Sequence, residues 1–393
     1  MSNTDEQWTG NWNYPTHVRF GVGRIAELPA ACAGVGMNRP LLVTDKGISA
    51  LPMIAEAVAK NIESGLPTAV FDDVKSNPTG SNVASGIDAY RKNACDGVIA
   101  WGGGSALDVG KAIALMVGQN RPIWDFEDIG DYWTRVRVEG MAPVVAVPTT
   151  SGTGSEVGRS SVIAHEQENN RKVIVFHPNM MPSLALCDPA LTLGLPPGIT
   201  AATGMDALSH NLEAFCARGF HPLADGIALE GIRLIHTYLE RAFRTPDDLE
   251  ARSNVMAASL MGATAFQKGL GAMHALSHPL GATLDAHHGL SNAIVMPYVL
   301  RWNQQTSAER LERLERYLGL TASGGDALID WVLALRESLA IPNTLTALGM
   351  QREHIEVLAP MAVVDPAAAG NPRSLDLAGA TDLFRNALDG NQD

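Results

Sequence analysis

The chain has 393 residues, of which 46% are apolar and 18% charged, so it contains enough apolar side chain for the cores of two or three domains. Its formal net charge of −13 is unfavourable for binding nucleic acid or an anionic membrane surface, and no run of basic residues offsets it. Glycine is in excess, with 38 residues, which predicts tight turns or places where the backbone approaches a ligand closely.

The N-terminus and the cysteines indicate where the protein works. The first fifteen residues lack a basic segment followed by an apolar one, so they do not predict a signal peptide. The sequence contains no run of 18 apolar residues that would span a bilayer. The four cysteines are too sparse for a disulfide scaffold, and their spacing, with no CxxC pair, excludes a thiolate zinc site. Together these features predict a cytoplasmic protein.

The first half of the chain alternates between short β-branched strands and helical patterns joined by glycine turns. The candidate strands are Val18–Phe20, Pro40–Thr44, Thr68–Phe71, Gly97–Trp101, Pro143–Val147 and Val173–Phe176. The helical patterns are Ile25–Ala33, Ser49–Ser64, Asn82–Asn93 and Ala106–Val117. Because the strands are apolar along their whole length, both faces of the sheet should be covered, as in a parallel sheet. Residues 1–195 are therefore predicted to form an α/β domain.

An aspartate stands where such a sheet would bind a ligand. Asp45 follows the strand that begins at Pro40, at the carboxyl edge of the predicted sheet. A carboxylate there can accept a hydrogen bond from a ribose 2′-hydroxyl and would repel a 2′-phosphate, which favours NAD over NADP. The alternative is an ordinary helix-capping or turn aspartate, and the sequence leaves both open.

Two glycine-rich loops follow candidate strands. The segment GGGSALDVGK, residues 102–111, leads into a helix, and its glycines let the backbone approach a phosphate that the helix N-terminus would attract. The segment PTTSGTGSE, residues 148–156, crowds small and hydroxyl residues that suit hydrogen bonds to a phosphate or a ribose. The alternatives are a tight strand–helix turn for the first loop and a mobile surface loop for the second.

The second half changes character, because strand signals stop after Leu195 and long helical patterns follow. These patterns are Ile199–Arg218, Pro222–Arg241, Leu249–Phe266, Ala272–Leu284, Glu309–Leu318, Asp326–Leu339 and Ser374–Leu388. The segment Thr306–Glu309 has the pattern of a capping box that opens one of them. Residues 196–393 are therefore predicted to form an all-helical domain.

A carboxylate and several histidines recur at helical spacing in this second half. Asp206 and His210 are four residues apart, as are His274 and His278, so each pair lies on one face of a helix. The doublet His287–His288 follows, and spacing alone does not decide which of its imidazoles joins the others. Carboxylate and imidazole together suit Zn²⁺ or Fe²⁺. The alternative for a single pair is a solvated helix face.

Four motifs are similar, in order and spacing, to the signatures of the iron-containing (group III) alcohol dehydrogenases. They are GGGSALDVGKA, PTTSGTGSEV, the segment ATGMD with His210, and HALSHPLGATLDAHHG. The resemblance spans nearly the whole chain. It implies an N-terminal α/β dinucleotide-binding domain with a parallel sheet and an all-helical C-terminal metal-binding domain, the dehydroquinate synthase-like plan. It also implies a homodimer or a larger homo-oligomer.

The resemblance implies a metal-ligand set, namely Asp206, His210, His274 and His288. His288 is chosen over His287 because the family places its last ligand fourteen residues after the third. His278 then corresponds to a histidine near the reacting groups that does not bind the metal. The family implies Fe²⁺ as the metal, and Zn²⁺ suits the same ligands.

The resemblance also implies a site for the cofactor, NAD. It assigns Asp45 to the adenosine ribose and Asn77 to the adenine side. The residues that would hold the pyrophosphate are Gly102, Gly103, Gly104, Ser105 and Asp108, with Thr149, Thr150 and Thr153 nearby. Those implied beside the nicotinamide are Lys172 and the segment from Leu191 to Leu195.

The region that lines the family's substrate pocket departs from the pattern. The family commonly has a phenylalanine nine residues before its third ligand, whereas Phe266 stands eight residues before His274. The loop between them carries Lys268. One hypothesis is that Lys268, or else Arg159, places a cation in the pocket and favours a hydroxy acid or semialdehyde. The alternative is that Lys268 faces solvent, since lysine is seldom buried.

The resemblance implies reversible, NAD-linked hydride transfer between a primary alcohol and its aldehyde. The metal would act as a Lewis acid, and His278 would pass the alcohol proton towards solvent as a general base. Two other hypotheses remain. One is an enzyme of the dehydroquinate synthase or glycerol dehydrogenase type on the same fold, and the other is a non-catalytic nucleotide- or metal-binding scaffold.

Overall fold

The computed structural model describes residues 16–168 and 170–391 and divides them into two compact units. The first unit contains residues 16–150 and 154–192, and the second contains residues 151–153 and 193–391. The segment 1–15, which lacks a signal-peptide pattern, lies outside the described residues. No helix in the described ranges is long and apolar enough to cross a membrane. All four cysteines are buried free thiols.

The first unit is built on a parallel sheet, whose strands in the described residues are β1 (His17–Phe20), β2 (Pro40–Val43), β3 (Ala69–Phe71), β4 (Gly97–Gly102), β5 (Val144–Pro148) and β8 (Leu184–Cys187). Across the sheet they run in the order β1-β8-β5-β4-β2-β3. The helices of this unit are α1 (Leu28–Gly34), α2 (Lys46–Ser49), α3 (Pro52–Glu63), α4 (Gly80–Lys92) and α5 (Gly104–Met116).

Successive side chains of the central strands enter two different cores. Leu41 and Val98 pack in one core with residues of α4 and α5, whereas Leu42 and Ile99 pack in another with residues of α1 and α3. Neighbours along a strand point to opposite faces, so both faces of the sheet are covered. This explains why β2, β4, β5 and β8 are buried along their whole length.

One predicted strand belongs to a different sheet. Val173–Phe176 lies in β7 (Arg171–Phe176), which pairs antiparallel with β6 (Ser160–His165) in a separate two-stranded sheet. Along β7 exposure alternates, as expected for a strand with only one buried face. The sixth strand of the parallel sheet is instead β8, which escaped the sequence analysis because Leu-Ala-Leu-Cys contains no β-branched or aromatic residue.

The second unit is helical and surrounds one large apolar core. Its helices are α6 (Pro197–Cys216), α7 (Pro222–Arg244), α8 (Leu249–Ala265), α9 (Ala272–Leu284), α10 (His288–Leu318), α11 (Asp326–Ser338), α12 (Ile355–Val364) and α13 (Leu377–Asp389). Helix α12 was not predicted. Helix α13 begins at Leu377, three residues later than predicted, because Asp376 accepts the Gly379 N–H as its N-cap.

The prediction of a helix start at Thr306–Glu309 is wrong. Helix α10 runs without a break from His288 to Leu318, and Ser307 is buried in its interior. The residues before this segment favour helix about as well as those after it, so the helix continues through the motif. A capping pattern marks a helix start only where the preceding residues leave the helical conformation.

Candidate metal centre

Helix α6 carries the first two candidate ligands. Its first residue is Pro197, whose fixed φ suits the first turn, where an N–H would have no partner. Asp206 and His210 lie one turn apart in the middle of the helix and are both buried. The i, i+4 spacing therefore brings a carboxylate and an imidazole to one face, inside the core of the helical unit.

Two further histidines come from the next helical segments. His274 lies in the first turn of α9, which begins directly after the segment 269–271, and is buried. His288 is the first residue of α10, whereas His287 is its N-cap and accepts the Leu290 N–H on Nδ1. The structure thus distinguishes the two members of the doublet, because the ring of His287 is engaged at the helix terminus.

These four side chains converge. One ligand atom from each of Asp206, His210, His274 and His288 lies within 4.8 Å of all the others. Asp206 Oδ1 is 3.6 Å from His288 Nε2 and 4.0 Å from His274 Nε2. The rings of His210 and His274 stack with centroids 4.7 Å apart. Spacings of this size leave room for one ion between the ligand atoms.

The outer nitrogen of each imidazole is hydrogen-bonded away from the centre. His210 Nδ1 donates to the Gly152 carbonyl at 3.2 Å, His274 Nδ1 donates to Glu213 Oε2 at 2.7 Å, and His288 Nδ1 is 3.4 Å from Ser277 Oγ. A proton on Nδ1 leaves the lone pair on Nε2, where a metal would bind. Three neutral imidazoles and a carboxylate therefore fit a divalent metal such as Zn²⁺ or Fe²⁺.

The surroundings of His274 favour its neutral ring. Burial, and then the neighbouring His210 ring, lower the pKa of His274 well below its usual value. Burial raises the pKa of the Glu213 carboxyl to about 7, although the hydrogen bond from the Met273 N–H opposes the shift. A divalent cation would balance the negative charge of the buried Asp206 carboxylate.

An asparagine missed by the sequence analysis stands among the candidate ligands. Asn292 is fully buried in α10, one turn after His288. Its Nδ2 donates to Asp206 Oδ1 at 2.8 Å and lies 3.3 Å from Nε2 of both His274 and His288. Its amide protons thus face the lone pairs that a metal would use. The sequence contains the pattern that would have predicted this position, because Asn292 stands four residues after His288 and so lies on the same helix face.

His278, the predicted proton-transfer residue, has a carboxylate partner that the sequence analysis also missed. Its Nδ1 donates to Asp365 Oδ2 at 2.9 Å. Asp365 Oδ1 accepts the Ala367 N–H at 2.9 Å, so the carboxylate is held at the start of the 3₁₀ turn that follows α12. The His278 ring is 5.5 Å from that of His288. No local pattern links His278 to Asp365, which are 87 residues apart.

The two predicted pocket residues have different surroundings. The ring of Phe266 is 5.2 Å from that of His210, so it lies beside the cluster. Lys268 is buried, forms an ion pair with Asp225, and donates to the Phe215 carbonyl at 3.2 Å. Burial lowers the pKa of Lys268, and Asp225 opposes that shift. Lys268 therefore does not face solvent, and its ammonium is already paired with a carboxylate, which it shares with Arg310.

The predicted cofactor residues near α5 have well-defined contacts in the α/β unit. Asp45 caps α2, since its Oδ1 accepts the Ile48 N–H at 3.0 Å. Gly102 ends β4, Gly103 is the N-cap of α5, and Gly104 is its first residue. Ser105 Oγ donates to the Ser76 carbonyl. The backbone after β4 therefore presents the N-terminus of α5, as expected for a loop that binds a phosphate.

Asp108 is occupied by contacts within the unit. Its carboxylate accepts from Ser155 Oγ and from the Val162 N–H and pairs with the buried Lys111 at 3.2 Å. These contacts join α5 to β6 and to the turn that precedes it. Asp108 therefore has a structural role in the α/β unit, which the sequence pattern did not predict.

The remaining predicted cofactor residues fall into three groups. Lys172 Nζ donates to Asn77 Oδ1 at 2.8 Å, so the structure brings these two predicted residues together. The Thr149 N–H donates to the Gly102 carbonyl at 3.0 Å, and Thr150 follows it as the last residue of the first segment of the α/β unit. The others are Thr153 and Leu195 in the helical unit and Leu191 against a core of the α/β unit. Arg159, the second candidate for a cation in the substrate pocket, has its guanidinium over the ring of Phe176.

Known proteins resemble this chain over almost its full length. The family model described as iron-containing alcohol dehydrogenase matches residues 15–189, and the C-terminal model of the Fe-containing alcohol dehydrogenase family matches residues 200–388. The 4-hydroxybutyrate dehydrogenase of Cupriavidus necator is 41% identical over 93% of this chain and 96% of its own length. The 1,3-propanediol dehydrogenase of Citrobacter freundii is 34% identical over 94% and 96%.

A solved structure agrees with these matches. The crystal structure of a 1,3-propanediol oxidoreductase superposes with a TM-score of 0.91 at 32% identity. The superposition covers 97% of this chain and all of the other. The similarity therefore includes both the α/β unit and the helical unit.

Proposed function

Because the chain belongs to the iron-containing alcohol dehydrogenase family, we propose that it is a metal-dependent, NAD-linked dehydrogenase that interconverts a primary alcohol and its aldehyde. The observation that carries the proposal is the cluster of Asp206, His210, His274 and His288, whose ligand atoms lie within 4.8 Å of one another. The relatives named above are dehydrogenases that act on hydroxyl groups.

The metal would be held by the Asp206 carboxylate and by Nε2 of the three histidines. Such an ion supplies Lewis acidity, which lowers the pKa of an alcohol and stabilises its conjugate base. We propose Fe²⁺ as the resident ion because the family is described as iron-containing. Zn²⁺ is a second ion that the same donor set accepts.

His278 would take the proton that the alcohol loses. Its Nδ1–H is held by Asp365, so the free Nε2 is available as an acceptor. The carboxylate of Asp365 also stabilises the imidazolium that forms when the ring is protonated, as in other carboxylate–histidine pairs. His278 does not belong to the group of four ligand side chains, which is consistent with a role in proton transfer.

NAD would bind to the α/β unit and accept the hydride, a step that belongs to the chemistry of the cofactor. The N-terminus of α5 after Gly102–Gly104 supports binding of the pyrophosphate. Asp45 supports a preference for NAD over NADP, because its second carboxylate oxygen can accept from a ribose hydroxyl while Oδ1 caps α2.

For the substrate we propose small primary alcohols, with 4-hydroxybutyrate as the first compound to test. The support is the 41% identity to a 4-hydroxybutyrate dehydrogenase. Lys268 does not provide the cation that would bind the carboxylate, since its ammonium pairs with Asp225. We further propose a cytoplasmic homodimer or larger homo-oligomer. The four free, buried cysteines are consistent with a reducing compartment.

The test is a substrate panel on metal-free protein reconstituted separately with Fe²⁺ and Zn²⁺. The panel contains 4-hydroxybutyrate, 1,3-propanediol, 1-butanol and methanol, each with NAD and with NADP, and NADH formation is followed by absorbance. We expect metal-dependent NADH formation in proportion to alcohol consumed, and none with the Asp206→Ala, His274→Ala double variant. Full activity of that variant would refute the proposal. Turnover without net NADH would favour the dehydroquinate synthase type.

A further inference from the structure

A buried glutamate joins the two helices that carry three of the candidate ligands. Glu213 lies in α6, three residues after His210 and on the same helix face, and its side chain is only 4% exposed. Its Oε2 accepts from His274 Nδ1 at 2.7 Å, and its Oε1 accepts the Met273 N–H at 2.6 Å. Each carboxylate oxygen therefore has a donor in α9.

The start of α9 is arranged to receive this carboxylate. The first N–H groups of a helix have no partner within the helix, and a negative charge is favourable there. Glu213 accepts one of them, from Met273, and Asn371 Oδ1 accepts another, from Ala272, at 3.0 Å. Glu213 thus acts as an N-terminal cap supplied by another helix.

The residue before α9 leaves space for both acceptors. A Cβ atom on Gly271 would lie 2.9 Å from Glu213 Oε1 and 2.8 Å from Asn371 Oδ1, which is closer than Cβ atoms come to other atoms. The backbone of Gly271 is extended, with φ −155°, so its conformation does not require glycine. The missing side chain instead allows the carboxylate to approach the backbone closely.

We propose that Glu213 is a positioning residue of the metal centre, which fixes His274 so that Nδ1 carries the proton and Nε2 presents its lone pair to the metal. The inference deepens the proposed function and rests on its metal centre. The hydrogen bond also fixes the orientation of the ring, because the carboxylate is itself held by the Met273 N–H.

An amide cannot replace the carboxylate in this role. In Glu213→Gln, an amide oxygen directed at the Met273 N–H turns the NH₂ group towards His274 Nδ1. The ring nitrogen must then accept, and the ring proton moves to Nε2, the atom that faces the other ligands. The opposite orientation of the amide sets two donors, the NH₂ group and the Met273 N–H, against each other.

The experiment measures metal affinity on purified, metal-free protein and needs no turnover. The dissociation constant for Zn²⁺ is determined by competition with a chromogenic chelator, and the absorption spectrum of the Co²⁺ form reports the ligand field. We expect Glu213→Gln to bind Zn²⁺ roughly 10- to 100-fold more weakly. We also expect the Co²⁺ spectrum to change.

Glu315→Gln is the matched control. Glu315 is also fully buried and also caps another helix, since it accepts the N–H groups of Gly325 and Leu328 at the start of α11. It touches no candidate ligand, so its variant should lose stability while binding Zn²⁺ as tightly as the wild type. A loss of metal affinity that reflected general loosening of the helical unit would appear in both variants.

The outcomes separate this inference from the proposed function. A folded Glu213→Gln variant with wild-type Zn²⁺ affinity would overturn the inference and leave the dehydrogenase assignment untouched. If that variant does not fold, Gly271→Ala serves instead, because its Cβ displaces the Glu213 carboxylate without changing its charge. Weakened Zn²⁺ binding by Gly271→Ala supports the inference, and wild-type affinity overturns it.

Discussion

Replacing Asn292 with alanine should destabilise the metal-free protein far more than the metal-loaded one. The wild-type amide donates to the buried Asp206 carboxylate at 2.8 Å. A hydrogen bond to a charged group contributes about 1.5–3 kcal/mol to stability, and its loss here leaves a buried charge without that donor. The helical unit has about 200 residues. At that size the loss corresponds to a fall in Tm of roughly 3–12 °C.

A bound divalent cation compensates the charge of Asp206, so the loss should shrink when Zn²⁺ saturates the site. Differential scanning calorimetry of chelator-treated and Zn²⁺-saturated protein measures both values. Asn211→Ala is the matched control, because Asn211 is equally buried but donates to the neutral carbonyls of Ala207 and Ala258. Its fall in Tm should not depend on the metal. An equal fall for Asn292→Ala with and without Zn²⁺ would refute the reasoning.

Four further changes test other parts of the molecule. Lys268→Met should lower the free energy of unfolding by about 1.5–3 kcal/mol in denaturant melts, because Asp225 loses one of its two cationic partners and keeps only Arg310. The same variant should not change the ratio of the turnover rates with 4-hydroxybutyrate and 1-butanol. A loss of turnover with 4-hydroxybutyrate alone would contradict the conclusion that Lys268 pairs with Asp225 and does not bind the substrate. Asp365→Asn should lower kcat roughly tenfold or more while leaving Zn²⁺ affinity unchanged, because His278 loses the carboxylate that holds its proton. Burial raises the pKa of Glu156 to about 7 from its ordinary 4.5, so the folded state holds that proton more tightly and stability falls as pH rises between these values. In Glu156→Gln this fall in the free energy of unfolding, up to about 3 kcal/mol, should be absent. Profiles of unfolding free energy against pH that are parallel for the wild type and the variant from pH 4.5 to 8 would contradict this prediction. Asp45→Ser keeps a side-chain acceptor for the cap of α2 but removes the charge, so kcat/KM with NADP relative to NAD should rise roughly tenfold, or about 1.4 kcal/mol.

The sequence predicted those parts of the candidate site that depend on local helix geometry. Asp206 and His210 share a face of α6 because four residues make about one helical turn. The same rule would have found Asn292, at i+4 from His288, and Glu213, at i+3 from His210. Neither was singled out, because a lone asparagine or glutamate in a helical pattern most often lies on a solvated face.

Other parts of the site depend on contacts that no local pattern contains. Asp365 meets His278 across 87 residues of sequence, and Lys268 meets Asp225 across 43. Burial of a lysine is predictable only when its partner is known, so both sequence hypotheses for Lys268 failed to anticipate the ion pair. The same holds for the fold. The sequence correctly predicted Val173–Phe176 as a strand, but the sheet to which a strand belongs depends on its partner, which here is β6.

Close approach of the backbone, more than side-chain chemistry, sets the relative positions of the candidate ligands. A Cβ on Gly289, the residue after His288, would lie 2.4 Å from the Ala202 carbonyl, so α10 can begin against α6 only with glycine there. Likewise, a Cβ on Gly152 would lie 2.8 Å from Thr203, and the carbonyl of this glycine accepts from His210 Nδ1. The second glycine-rich loop therefore supports an imidazole of the candidate metal centre. An alanine at either position must move backbone, and with it the imidazole of His288 or His210, because no flexible side chain can absorb the contact.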